Sequence, residues 1–132
     1  MRILITGSRT WTDREMVYNL LEAANRKPGP HTLVHGGARG ADTIAGQIAA
    51  EFGWTVEVHE ADWGHDGRAA GVLRNNKMVN LGADLCLAFI MNNSPGASHC
   101  ARLARMAGIN TAKFHRPALT PDGEPPVSLQ GL

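Results

Sequence analysis

The chain has 132 residues, the size of one ordinary domain, with 43% hydrophobic residues, 19% charged residues and a formal net charge of +1. That balance argues against the strongly basic surface of a general nucleic-acid binder and against the long apolar stretches of a membrane protein, so neither nucleic acid nor membrane is expected as a partner. The N-terminal MRILITGSR lacks the apolar run of a signal peptide, and Cys86 and Cys100 fall in core-like patterns, which together point to free thiols in a cytoplasmic protein.

Residues 2–6 (RILIT) read as a strand buried on both faces, followed by the turn Gly7-Ser8-Arg9. A helix is expected from about Thr12, with Met16, Val17, Leu20, Leu21 and Ala24 at helical spacing and Thr12 or Asp13 as its N-cap. Lys27-Pro28-Gly29-Pro30 ends it, and residues 32–35 form the second strand. The next helix has the cleanest period in the chain, with Ala41, Ile44, Ala45, Ile48, Ala49 and Phe52 on one face, and Gly53 stops it. Residues 55–59 read as the third strand, and the polar loop 60–67 leads to a helix over 70–81. Residues 84–90 form the fourth strand, a helix runs over 97–107, and residues 111–114 make a short fifth strand.

Strand and helix in strict alternation, with apolar strands, imply an α/β fold: a single Rossmann-like three-layer domain with a mainly parallel sheet of about five strands, over residues 1–115. Residues 116–132 are rich in proline, lack any period and read as a flexible tail.

Ligands of such sheets bind beyond the carboxyl ends of the strands. There the sequence places HGGARGAD (35–42), whose glycines permit close approach of a ligand to the backbone and whose following helix offers unpaired N–H groups to an anion. Gly7-Ser8-Arg9 holds the equivalent position after the first strand, and Ser94-Pro95-Gly96-Ala97-Ser98 after the fourth. Arg68, Arg74 and Lys77 cluster after the third. Much of the cationic charge of a nearly neutral chain therefore gathers at one edge, which predicts a cleft for phosphate or a nucleotide. The phosphate is expected on the backbone N–H groups of loops 36–40 and 7–9, with Arg9, Arg39 and Arg74 neutralising its charge.

Other residues at this edge carry two readings each. Asp42 either complements the helix dipole or touches a ribose. Trp63 either stacks on a base or covers the core edge. His99 is either a general acid or base or a surface residue. Ser8, Ser94 and Ser98 fit turn and cap roles as well as any nucleophilic one. His59, Glu60, Asp62, His65 and Asp66 match no compact metal motif, so no metal ligand and no cofactor is assigned.

Five stretches in order, ITGSR (5–9), HGGARGAD (35–42), ADW (61–63), GRAAGVLRNNKM (67–78) and GADLCLAF (82–89), resemble the YspA/cpYpsA-related family of the SLOG superfamily. The resemblance implies a Rossmann-like fold that binds nucleotides or nucleotide-derived ligands, in a superfamily that also holds the Lonely Guy phosphoribohydrolases and the DNA-processing protein of natural transformation. By that similarity Gly7, Ser8, Arg9, Gly36, Gly37, Gly40 and Asp42 line the ligand cleft, and Arg39, Asp62, Trp63, Arg74, Asn75 and Gly96 complete the candidate set. Arg74 with Met78 resembles the arginine-and-methionine helix of the phosphoribohydrolases, whose arginine is catalytic.

The hydrolases carry a Pro-Gly-Gly-x-Gly-Thr-x-x-Glu loop with a catalytic glutamate, and here Leu103 stands in that glutamate's place. The resemblance therefore favours a binding module that senses, sequesters or presents a nucleotide-like molecule. A hydrolase of a nucleotide N-glycosidic or phosphoester bond, with Arg74, Asp62 or His99 as catalytic candidates, is the alternative, and DNA-processing-type binding is the third. Self-association as a dimer or larger assembly is expected from the superfamily.

Overall fold

Ile3, Leu4 and Ile5 follow one another with no polar residue between them, and all three are buried. Their strand, β1 (Arg2–Gly7), accordingly takes the centre of the sheet. The computed structural model describes residues 1–92 and 94–116. After β1 come α1 (Arg14–Asn25), β2 (Thr32–His35), α2 (Ala41–Glu51) and β3 (Thr55–Val58). A one-turn helix α3 (Trp63–Asp66) and a 3-10 turn (Gly67–Ala69) lead into α4 (Ala70–Asn80), and β4 (Leu85–Met91), α5 (Pro95–Met106) and β5 (Asn110–Arg116) close the fold.

The five strands lie in the order β3-β2-β1-β4-β5, every neighbouring pair parallel. This is the Rossmann-like α/β arrangement, with helices on both faces of the sheet. Because side chains alternate across a strand, Ile3 and Ile5 face one layer and Leu4 the other. The first layer packs Ile3, Ile5, Leu33, Leu87 and Phe89 against Val17 and Leu21 of α1 and Ala45 and Ile48 of α2. The second packs Leu4, Val34 and Cys86 against Met78 and Val79 of α4 and Cys100 and Ala104 of α5. Both cysteines are free, and burial pushes the Cys86 thiol up to about 12 and that of Cys100 to about 11.

Three details differ from the sequence reading. The loop after β3 contains α3, capped by Asp62, whose carboxylate accepts from the His65 N–H at 3.1 Å. One turn is too short to show a hydrophobic period. Helix α5 starts two residues early, at Pro95, where a proline at the first helical position sacrifices no hydrogen bond. Strand β5 runs through Arg116, so the sheet takes in one residue assigned to the tail. The rest of that expected tail, residues 117–132, lies outside the described residues.

The path of the chain creates the site. From β1 it moves outward through β2 to β3, then crosses back to β4 on the other side of β1. The loops after β1 and β4 therefore diverge and leave a crevice at the carboxyl edge, the usual ligand position of an open α/β sheet.

Candidate functional site

A cleft of about 670 Å³ opens at this crevice, within the size range of small-molecule sites. Its walls are the turn after β1 with Gly7, Ser8 and Arg9, the exposed Trp63, the α4 face with Arg74, Asn75 and Met78, and the start of α5 from Ser94 to Ala97. Arg68, His99 and Arg102 also line it. A smaller cavity of about 240 Å³ adjoins it, sharing Arg9, Ala38, Trp63 and Arg74 and adding Gly36, Gly37, Arg39, Glu60 and Ala61.

The arginines divide by location. Arg2, Arg14, Arg26 and Arg116, away from the cleft, pair with Glu57, Glu51, Glu22 and Asp13 respectively. Arg9, Arg39, Arg68, Arg74 and Arg102 line the two cavities, and none forms an ion pair with a carboxylate among the described residues. Arg105 likewise forms no ion pair among the described residues; it lies in the last turn of α5, where a cation complements the helix dipole. Unpaired cations gathered in a concave site leave charge to be met by an anionic ligand.

Arg74 is anchored at its base. Its Nη1 donates to the Gly36 carbonyl at 2.6 Å and its Nε to Asn75 Oδ1 at 2.9 Å. The buried Asn75 thus holds the guanidinium in place.

The glycine loop works differently from the sequence expectation. The carboxylate of Asp42 accepts from the N–H groups of Gly36, at 3.0 Å, and Ala38, at 3.3 Å. The Gly37 N–H donates to His35 Nδ1 at 2.9 Å, and the Ser8 N–H to the Phe89 carbonyl at 2.8 Å. These four donors are satisfied by the chain itself, so Gly36, Gly37, Ala38 and Ser8 do not offer their N–H groups to the phosphate cradle expected of loops 36–40 and 7–9. Helix α5 adds donors at the same edge: Ser94 makes no side-chain cap, and the first-turn amides of Gly96 and Ala97, two residues that line the cleft, have no intrahelical partner.

Asp42 is 5% exposed, and its Oδ1 is buried without a hydrogen-bond partner among the described residues. Burial pushes its carboxyl up to about 6, against the opposing pull of the Ala38 and Gly36 N–H groups and of Arg74. Burial, with help from Arg74 and His59, lowers the pKa of His35, which fits its role as acceptor for Gly37.

Most of the candidate residues come together. Gly7, Ser8, Arg9, Asp42, Trp63, Arg74, Asn75, Gly96 and His99 line the larger cleft, and Gly36, Gly37 and Arg39 the smaller cavity. Gly40 and Asp62 line neither; Gly40 packs on the backbone of Ser8 and Arg9, and Asp62 caps α3. Ser8 is a clamp, its Oγ accepting from the Met91 N–H at 2.7 Å and so tying the turn after β1 to the end of β4. Arg102 was missed, although it lies three residues beyond His99 on the same helix face. His59 is occupied by Glu57 and His65 by Asp66, each at 2.7 Å.

Comparison with known proteins follows the same lines. The model of the YspA, cpYpsA-related SLOG family matches residues 1–65. The Gene 61 protein of Mycobacterium phage D29 is 50% identical over 119 residues, 86% of this chain and 95% of that protein. Among solved structures, DNA processing protein A from Streptococcus pneumoniae aligns with a TM-score of 0.69 at 15% identity, over 92% of this chain and 52% of that one. DNA processing protein A from Helicobacter pylori, a structure described for its single-stranded DNA binding mode, aligns with a TM-score of 0.60 at 18% identity, over 94% of this chain and 68% of that one. The chain spans about half the length of the S. pneumoniae structure, and at these identities the likeness is one of fold.

One expectation is corrected by this comparison. The near-neutral charge argued against nucleic acid as a partner, yet a protein of this fold, that of H. pylori, binds single-stranded DNA. Net charge averages over the whole surface, whereas binding responds to the local cluster, and here the pairing of remote arginines conceals the unpaired ones. Among the described residues, no helix is long and apolar enough to cross a membrane.

Proposed function

Because the chain belongs to the YspA, cpYpsA-related SLOG family, we propose that its cleft binds a nucleotide or nucleotide-derived small molecule, held chiefly by phosphate. The observation that carries this reading is the partition of arginines: among the described residues, four of the five remote from the cleft pair with carboxylates, Arg105 at the end of α5 being the fifth, while the five that line the two cavities form no ion pair. The phosphate sits at the α5 N-terminus, within reach of the Gly96 and Ala97 amides, and Arg9, Arg68, Arg74 and Arg102 neutralise it. Trp63, 52% exposed at the mouth, supplies a face for a base.

Binding is favoured over hydrolysis by the acids present. Asp42 is the one carboxylate on the larger cleft among the described residues, and two backbone N–H groups already engage it. Leu103, in the place of the hydrolase glutamate, packs against the core between α4 and α5. Such a module senses, sequesters or presents its ligand.

A second reading, single-stranded DNA, is supported by the H. pylori likeness together with the exposed Trp63, since aromatic platforms beside cations suit unpaired bases. Calorimetric titration with nucleoside mono-, di- and triphosphates, beside fluorescence anisotropy with a single-stranded oligonucleotide, separates the two. Saturable nucleotide binding that Arg74→Ala weakens supports the first. Binding of the oligonucleotide alone supports the second, and binding of neither overturns the site.

A further inference from the structure

The smaller cavity has a different chemistry from the cleft it adjoins. Glu60 and Arg39 both line it, both are exposed, and they form no ion pair with each other. The position of Glu60 is built into the loop opposite. A Cβ at Gly37 would come within 2.9 Å of Glu60 Cγ and 3.4 Å of its Oε1, so the absence of a side chain at Gly37 is what lets Glu60 lie across the loop. An ionised carboxylate accepts hydrogen bonds and donates none, and it repels phosphate. It therefore suits the neutral, donor-bearing part of a ligand whose anionic part lies beside the arginines of the larger cleft. The two cavities share Arg9, Ala38, Trp63 and Arg74, so one molecule can occupy both.

We propose that Glu60 selects the sugar of the bound nucleotide, its carboxylate accepting hydrogen bonds from the vicinal hydroxyls of a ribose seated in the smaller cavity. This rests on the reading of the larger cleft as a phosphate site. Two adjacent hydroxyls match the two carboxylate oxygens, while Arg39 beside them meets the ring and ester oxygens. A ribonucleotide is then the preferred ligand class over its 2′-deoxy counterpart.

The test is calorimetric titration of the parent, Glu60→Gln and Glu60→Ala with AMP, GMP, CMP and UMP, their 2′-deoxy counterparts and inorganic pyrophosphate. Glu60 is exposed and hydrogen-bonds no described residue, so both variants are expected to fold. The best ribonucleotide is expected to bind the parent roughly tenfold more tightly than its deoxy form, and both variants to bring that ratio below about twofold. Pyrophosphate is expected to bind Glu60→Gln at least as tightly as the parent, because a repelling charge is gone. Nucleotide binding without ribose preference, or a preference unchanged in the variants, overturns this proposal and leaves the phosphate site standing. Failure of every probe, pyrophosphate included, overturns the phosphate site and this proposal with it.

Discussion

Arg74 Nη1 donates to the Gly36 carbonyl at 2.6 Å, and a side chain at Gly36 would overlap that same guanidinium. The glycine is thus a seat for an arginine from a helix 38 positions away in sequence. Its neighbours serve likewise: Gly37 makes room for Glu60, and Gly40 for the backbone of Ser8 and Arg9. The concentration of glycine in this loop lets three other segments of chain meet beneath the cleft.

Gly36→Ala is therefore expected to act through Arg74. The guanidinium is flexible and can be displaced, so stability should fall by only about 1 kcal/mol. Nucleotide affinity should fall about tenfold, as in Arg74→Ala, because a charge-assisted contact is lost. Parallel thermal melts and calorimetric titrations of the two variants check this.

Gly40 and Gly53 offer a matched pair. Both have positive φ, +76° and +78°, but a Cβ at Gly40 would run into the Ser8 carbonyl and Arg9 backbone, while one at Gly53 meets nothing within 4 Å among the described residues. Gly53→Ala should cost only the backbone term, about 1–2 kcal/mol. Gly40→Ala should cost that and at least about 2 kcal/mol more, since backbone cannot step aside as a side chain does. Urea unfolding of both variants measures the difference.

Asp42 makes a signed prediction about pH. Its folded pKa, about 6, lies above the unfolded value of 3.8, so the folded state binds the extra proton. The stability from this group is fully present below about pH 4 and is lost as pH rises through about 6. His35 runs the other way: its lowered pKa contributes stability above the unfolded value, 6.5, that is lost as pH falls. Comparison with Asp42→Asn cancels the His35 contribution. Between pH 7 and pH 4 the parent should gain about 2 kcal/mol on that variant, read from urea midpoints. A constant difference across the range would show that the carboxyl titrates normally.

Trp63 is half exposed and rests its ring on Gly71, where a Cβ would lie 3.4 Å from Cη2. Trp63→Ala should lower stability by about 1–3 kcal/mol, because the buried half of a large ring is lost. Nucleotide affinity should fall by about 1–3 kcal/mol while pyrophosphate binding stays unchanged, since stacking acts on the base alone. Equal loss for both ligands would show that the ring does not meet a base.

The framework of the fold was legible because it rests on local pattern. Residues 32–35 form β2 as expected, the Ala41-to-Ala49 period marks the buried face of α2, and Asp13 caps α1 by accepting from the Met16 N–H. The carboxyl edge was legible too, through the glycine and arginine loops that follow β1, β2 and β4. What depends on which side chain meets which polar group was not. Neither periodicity nor composition says that Asp42 and His35 satisfy the amides of Gly36, Gly37 and Ala38. Nor does the sequence tell a paired arginine such as Arg26 from an unpaired one such as Arg102, although that contrast distinguishes a charged cleft from an ordinary surface.

The central claim is that the unpaired arginines of the cleft, and not cationic charge in general, hold an anionic ligand. It is tested most directly by calorimetric titration of inorganic pyrophosphate into the double variant Arg9→Glu/Arg102→Glu and into Arg26→Glu, whose native arginine pairs with Glu22 far from the cleft. The account predicts that the double variant loses measurable binding while Arg26→Glu keeps the parent affinity. Equal affinity in the parent and the double variant would contradict it.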